Sequence, residues 1–240
     1  MTNRKLRHRA TMNMLRMGHC APSITQTLLE VMEHKKPWAV KLAAGLPVGI
    51  ANTGYECGGV TAPLIVLGLR HGLRVRDGLP EVVCRGEAVC RQFTDRNGTL
   101  SCVAIRGGPD RFSTRCPRIV REAPEMFFGS GDSERDVIPS ATKDAYRLLY
   151  AHFTREEFHC ARDVLQRLHA DPHVLDAASA FVGGTVFRGV TCSALTAGVM
   201  ILLHGGLGMS EISFFRHCNA ALEKSFTVVY WDRGEAVVPR

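Results

Sequence analysis

The sequence predicts an all-α protein made of two similar helical-bundle domains packed against each other as a pseudo-dimer. Three observations carry this expectation. Apolar residues recur at helical spacing and period-two strand signals are almost absent. A motif built around two cysteines occurs twice. A polar, glycine-containing segment, Gly129 to Asp136, followed by Pro139 and Ser140, separates the two occurrences.

The repeat is the most informative feature. His19-Cys20-Ala21 recurs as His159-Cys160-Ala161, and Gly49 to Ala62 aligns without gaps to Gly184 to Ala197. Within that alignment the glycines eight and three residues before the cysteine match, as does the Thr-Ala pair after it. Each stretch then enters an apolar run, Leu64 to Leu69 or Val199 to Leu203. The expected organisation is a basic tail over residues 1–13, a first copy over 14–128 and a linker over 129–142. A truncated second copy follows over 143–226, then a C-terminal tail over 227–240 that could hold a short strand at Thr227 to Trp231.

Taken in order, Ala21, Ile24, Leu28, Val31 and Met32 keep helical spacing, as do Ala161, Val164, Leu165 and Leu168 in the second copy. Val60 to Leu69 is apolar nearly all round, as expected of a buried central helix, and Pro63 falls early enough in it to be tolerated. Cys84 to Phe93 suggests a further helix, and Pro117 to Glu122 the start of the last one.

Composition bounds the function. The chain has 240 residues, 45% hydrophobic and 22% charged, as in an ordinary globular protein that needs no disulfides to fold. The formal charge of +7 is scattered, with its densest run at Asn3 to Arg9. No zinc-finger spacing, basic heptad or aromatic RNA-binding signature accompanies it, so no nucleic-acid partner is expected. The uncharged stretch between Arg188 and Glu211 holds His204 and several glycines around a short apolar centre. It reads as a buried helix and not a membrane span. The basic N-terminus lacks an apolar segment of the secretory kind, so the expected location is cytoplasmic.

Nine cysteines, at positions 20, 57, 84, 90, 102, 116, 160, 192 and 218, are many for such a chain. In a reducing compartment this enrichment points to redox chemistry or metal binding. Cys57 and Cys192 lie between a glycine-containing loop and an apolar helix. There, free backbone N–H groups and the helix dipole favour thiolate. Gly58 and Gly59 leave room for another sulfur, a metal or a substrate, whereas Glu56 adds opposing charge. Cys20 and Cys160 open the other helix of each copy and could face Cys57 and Cys192 across the core. Cys102 follows a turn signal and Cys116 precedes Pro117, again near helix starts. Cys84 and Cys90, separated by five residues, fall on different helix faces. No C-x-x-C or C-x-x-C-H occurs, which leaves zinc ribbon, thioredoxin and c-type haem attachment unsupported. A four-thiolate iron–sulfur site built from distant cysteines stays open. His19, His159 and His217 adjoin cysteines and are expected at the surface or in caps. His71 and His204 follow the central helices, where a cation suits the dipole.

The order of these pieces resembles the bacterial C_GCAxxG_C_C family of redox-active proteins. The matching segments are His19-Cys20-Ala21, Gly54 to Ala62, Leu67 to Gly72, Phe93 to Cys102, and Cys116 to Val120. The family's Ala and Gly after its second cysteine are Gly59 and Ala62 here. The second copy has Ser193 and Ala197 at the positions of the family's glycines, and it lacks counterparts of Cys102 and Cys116. Cys218 falls near the place of Cys84. The resemblance implies a cysteine-based redox protein using reversible thiol/disulfide chemistry at Cys20, Cys57, Cys102 and Cys116, with Cys160 and Cys192 as second-copy candidates. A related domain in split-Soret cytochromes carries an iron–sulfur centre beside haem. The alternative is therefore an electron carrier with a cluster on the same four cysteines, and the third reading is a non-catalytic metal-binding or scaffold protein. The redox partner, electron donor and substrate are not readable.

Overall fold

The computed structural model describes residues 2–34, 36–71, 78–108, 113–129 and 159–202. Their order is α1 (Asn3–Met17), α2 (Cys20–Val31), α3 (Pro37–Leu42), a 3-10 turn (Ala43–Gly45), α4 (Gly58–His71) and α5 (Gly78–Asn97). There follow α6 (Cys102–Arg106), α7 (Arg115–Gly129), α8 (Cys160–Arg167), α9 (Pro172–Ala178), a second 3-10 turn (Ser179–Phe181) and α10 (Ser193–Leu202). Among the described residues strand pairing is confined to one isolated antiparallel bridge, Glu56 to Ser101. The fold is all-α. Among the described residues no helix is long and apolar enough to cross a membrane.

α4 is the axis of the molecule. Every residue from Gly58 to Gly68 is buried, as its continuous apolar character demands. Around it pack α2, α5 and α7 from the N-terminal half, and α9 with the second 3-10 turn from the C-terminal half. Gly68 permits the last contact: a Cβ there would overlap the Asp176 carbonyl oxygen and crowd the Ala177 carbonyl oxygen and Ser179 Oγ.

The basic N-terminal segment is not a tail. It forms α1, which lies against α2 and α7. Leu6, Ala10 and Asn13 recur on one face and are buried beneath the charged residues, so a sparse apolar stripe suffices to dock the helix. The Asn13 amide donates to Thr27 Oγ1 at 3.0 Å and Glu30 Oε2 at 3.3 Å, and Arg7 grips both carboxylate oxygens of Glu125. The helix expected at Cys84 to Phe93 extends to both sides as α5, and α7 begins two residues before Pro117. Residues 130–158 and 203–240, which hold the rest of the segment read as linker, both ends of the second copy, the C-terminal tail, His204, His217 and Cys218, lie outside the described residues.

Two unusual turns recur. Val48, Gly49, Ile50, Ala51 and Asn52 all have positive φ, and so do Gly183, Gly184, Thr185, Val186 and Phe187. Left-handed backbone costs roughly 1–2 kcal/mol for each non-glycine residue, so packing and hydrogen bonds must enforce it. The bonds correspond residue for residue. Ala51 N donates to Gly45 O as Val186 N donates to Ala180 O, at 2.7 and 3.0 Å. Gly54 N donates to Val48 O as Gly189 N donates to Gly183 O, at 3.1 and 3.2 Å.

Substituting Gly68→Ala places a methyl group against two backbone carbonyls that cannot rotate away. The expected loss is roughly 1–3 kcal/mol, read as a lower denaturant midpoint with the helical signal retained.

Candidate functional site

The site is assembled by backbone pairing between two segments distant in sequence. Cys57 N donates to Leu100 O at 2.9 Å, and Cys102 N donates to Tyr55 O at 2.6 Å, flanking the Glu56–Ser101 bridge. Side chains alternate across extended backbone, so Cys57 and Cys102 share one face while Glu56 points to the other. Each chain then turns into a helix: Cys57 immediately precedes α4, and Cys102 is the first residue of α6. Ser101 caps α6 by accepting from Ala104 N at 3.3 Å.

Cys57 and Cys102 are buried, with 5% and 4% exposure, whereas Cys20 and Cys116 are partly exposed. Each of these two thiols is the largest influence on the ionisation of the other, as expected of neighbouring sulfurs. Cys20 opens α2 next to them. A Cβ on Gly58 would lie 2.6 Å from the Cys20 sulfur, so this glycine makes the room that the sequence suggested. The left-handed turn also serves the group. Val48 N–H faces the Cys20 sulfur, and Gly49 must be glycine because it has φ +77° and a Cβ there would sit 2.8 Å from Cys102 Cβ. Gly59 is held to its size by Ile119 and Phe93. Cys116, at the start of α7, is close enough for a charge on Cys102 to disfavour its ionisation.

The electrostatics reverse one expectation. Gly59 N donates to the Cys57 sulfur at 3.5 Å, yet the neighbouring Cys102 and burial push the Cys57 thiol well above its ordinary value. Cys102 is the counterpart. The neighbouring Cys57, with Arg106 nearby, outweighs burial and lowers the Cys102 thiol to about 7. Burial raises Cys20 and Cys116. Arg106 was not singled out by the sequence reading. Its signal is the i, i+4 spacing from Cys102 on α6.

The remaining candidates separate from this group. Cys90 is fully buried in the core and its thiol is pushed up to about 12, mainly by burial. Cys84 lies on the more exposed side of α5. Cys160 opens α8 and Cys192 precedes α10, the positions of Cys20 and Cys57, but Cys192 is exposed where Cys57 is buried. His19 is exposed. His159 caps α8, accepting at Nδ1 from Arg162 N at 3.3 Å and donating from Nε2 to Ser179 O at 2.9 Å; burial lowers its pKa. His71 ends α4, yet burial and then Arg85 lower its pKa, so the cationic role expected there is disfavoured. Among the described residues no group of three or more His, Cys, Asp or Glu converges as a metal ion requires.

The cysteine order on this scaffold is the one captured by a family model described as "Putative redox-active protein (C_GCAxxG_C_C)", which matches residues 18–128. The match covers a little under half of the 240-residue chain. The description of that family supports a general redox role, and the matched range contains all four grouped cysteines. No curated protein and no solved structure matches the chain.

Alkylation of Cys102, followed by peptide mass mapping, is expected to rise through a midpoint near pH 7 and then level off as the thiolate forms. Cys57→Ala removes the neighbouring thiol and moves that midpoint upward, towards 9. An unchanged midpoint in this variant would contradict the influence of Cys57 on Cys102.

Proposed function

We propose that this chain is a dithiol–disulfide redox protein whose working pair is Cys57 and Cys102, with Cys20 and Cys116 beside them. The observation that carries the reading is the paired backbone that sets two buried cysteines, Cys57 and Cys102, on one face of a single bridge. A thiolate beside a protonated partner is what reversible exchange needs: one sulfur attacks, and the other supplies a proton and then resolves.

The reaction runs as follows for a disulfide-bearing substrate. The Cys102 thiolate attacks one substrate sulfur, the substrate S–S bond breaks and a mixed disulfide forms. The departing thiolate takes the Cys57 proton. The Cys57 thiolate then attacks the Cys102 sulfur, and the second substrate thiolate leaves and is protonated from solvent. Two electrons have passed from the cysteine pair to the substrate, leaving a Cys57–Cys102 disulfide. Cys20 and Cys116, partly exposed, are the members of the group a solute reaches first.

The C-terminal half is read as a degenerate second copy that substitutes for a dimer partner. The two left-handed turns support this, as do the matching helix starts at Cys20 and Cys160. The contacts are also reciprocal: α4 rests on the second 3-10 turn, and α10 rests on the first. In the second copy, Cys160 and Cys192 keep their positions without counterparts of Cys102 and Cys116, so its role is structural.

Equilibration of the purified protein in glutathione redox buffers, with peptide mapping, is expected to yield one dominant disulfide, Cys57–Cys102, absent in Cys57→Ser and Cys102→Ser. Anaerobic purification with stoichiometric iron and sulfide on these cysteines would overturn the thiol reading. Truncation after residue 130 is expected to uncover the apolar face of α4, giving self-association or strong binding of an apolar dye. A dye-free soluble monomer of that fragment would contradict the pseudo-dimer.

A further inference from the structure

Glu56 stands between the two cysteines' backbone and the C-terminal half, with only 3% exposure. Its side chain points away from Cys57 and reaches residues more than a hundred positions later in the chain. Oε1 accepts from Thr185 Oγ1 at 2.8 Å and from Thr191 N at 3.1 Å, and Oε2 accepts from Thr191 Oγ1. All three donors are neutral and all belong to the C-terminal half. The nearby cation of that half, Arg188, is committed to both oxygens of Glu87 on α5, at 3.0 and 2.6 Å. A buried carboxylate is costly unless its oxygens are satisfied, so these three bonds are the condition under which Glu56 can stay where it is.

The donors are themselves held in an uncommon conformation. Thr185 has φ +60° within the second left-handed turn, and Thr191 follows that turn by a few residues. In the N-terminal half the corresponding turn packs against Cys102 and faces Cys20. The C-terminal half retains the same strained turn without four cysteines to serve, and there the turn aims Thr185 at Glu56.

We infer that Glu56 is a positioning residue, through which Thr185 and Thr191 of the C-terminal half lock the Tyr55–Cys57 and Leu100–Cys102 backbones into the geometry that joins the two sulfurs. The inference rests on the reading of that pair as the redox site. It adds a means by which the half lacking the full cysteine set controls the half that has it. Glu56 is the bridge residue itself: displacing its carboxylate moves the two amides that flank it, and with them both sulfurs.

The test uses the full-length protein and variants outside the matched domain: Thr185→Val and Thr191→Val, which keep shape and remove a hydroxyl, with Thr185→Ser and Thr191→Ser as conservative controls. In glutathione buffers, each valine variant is expected to form the Cys57–Cys102 disulfide roughly tenfold less readily than wild type, and each serine variant to restore it. Hydrogen exchange at the Cys57 and Cys102 amides is expected to quicken by about the same factor in the valine variants. Valine variants with a wild-type disulfide equilibrium and wild-type exchange overturn the inference while leaving the redox reading intact. A wild-type protein that forms no such disulfide overturns the redox reading instead, and amide exchange then decides the lock by itself. Should one valine variant fail to fold, the other carries the comparison.

Discussion

Two backbone hydrogen bonds, Cys57 N to Leu100 O and Cys102 N to Tyr55 O, are the constraint on which the site depends. They join the entry to α4 with the entry to α6 and place two sulfurs on one face of a single bridge. The surrounding structure serves to keep this short extended contact in place within a helical protein. Ser101 caps the helix on one side, Phe93 and Ile119 press on Gly59 on the other, and the Val48–Asn52 turn closes over Cys102 and Cys20. An isolated bridge has little stability of its own. Its persistence comes from the helices it connects and from the buried carboxylate on its far face.

That arrangement divides the cysteines by chemistry rather than by position along the chain. A helix start favours thiolate, but burial and a neighbouring sulfur can outweigh it. Cys57 has the helix amide and its thiol is still raised, because the neighbouring Cys102 and burial both disfavour its ionisation. Arg106, one turn along α6, adds positive charge where the thiolate forms. Cys90 marks the other extreme: buried in the core, its thiol behaves as a small apolar side chain.

Much of the fold was legible. The all-round apolar character of α4, the spacing in α2 and α8, and the two cysteine motifs are local properties, and local properties survive in a linear reading. α1 was misread as a tail because three buried positions under a dense run of charge make a weak stripe. Its docking depends on α2 and α7, which no local pattern names. The left-handed turns were visible only as matching glycines. Nothing in Ile50 or Val186 signals positive φ, because the packed neighbourhood imposes it against their preference.

For the site, the amino-acid sequence by itself determined which four cysteines to consider: their order, their small neighbours and their places at helix starts are all written along the chain. Only the tertiary structure decided which two cysteines share one bridge, and that Glu56 turns away from Cys57 towards Thr185 and Thr191. The physical reason is range. Helical periodicity and turn chemistry act over a few residues, whereas backbone pairing at the bridge and satisfaction of a buried carboxylate require groups that folding alone brings within hydrogen-bonding distance.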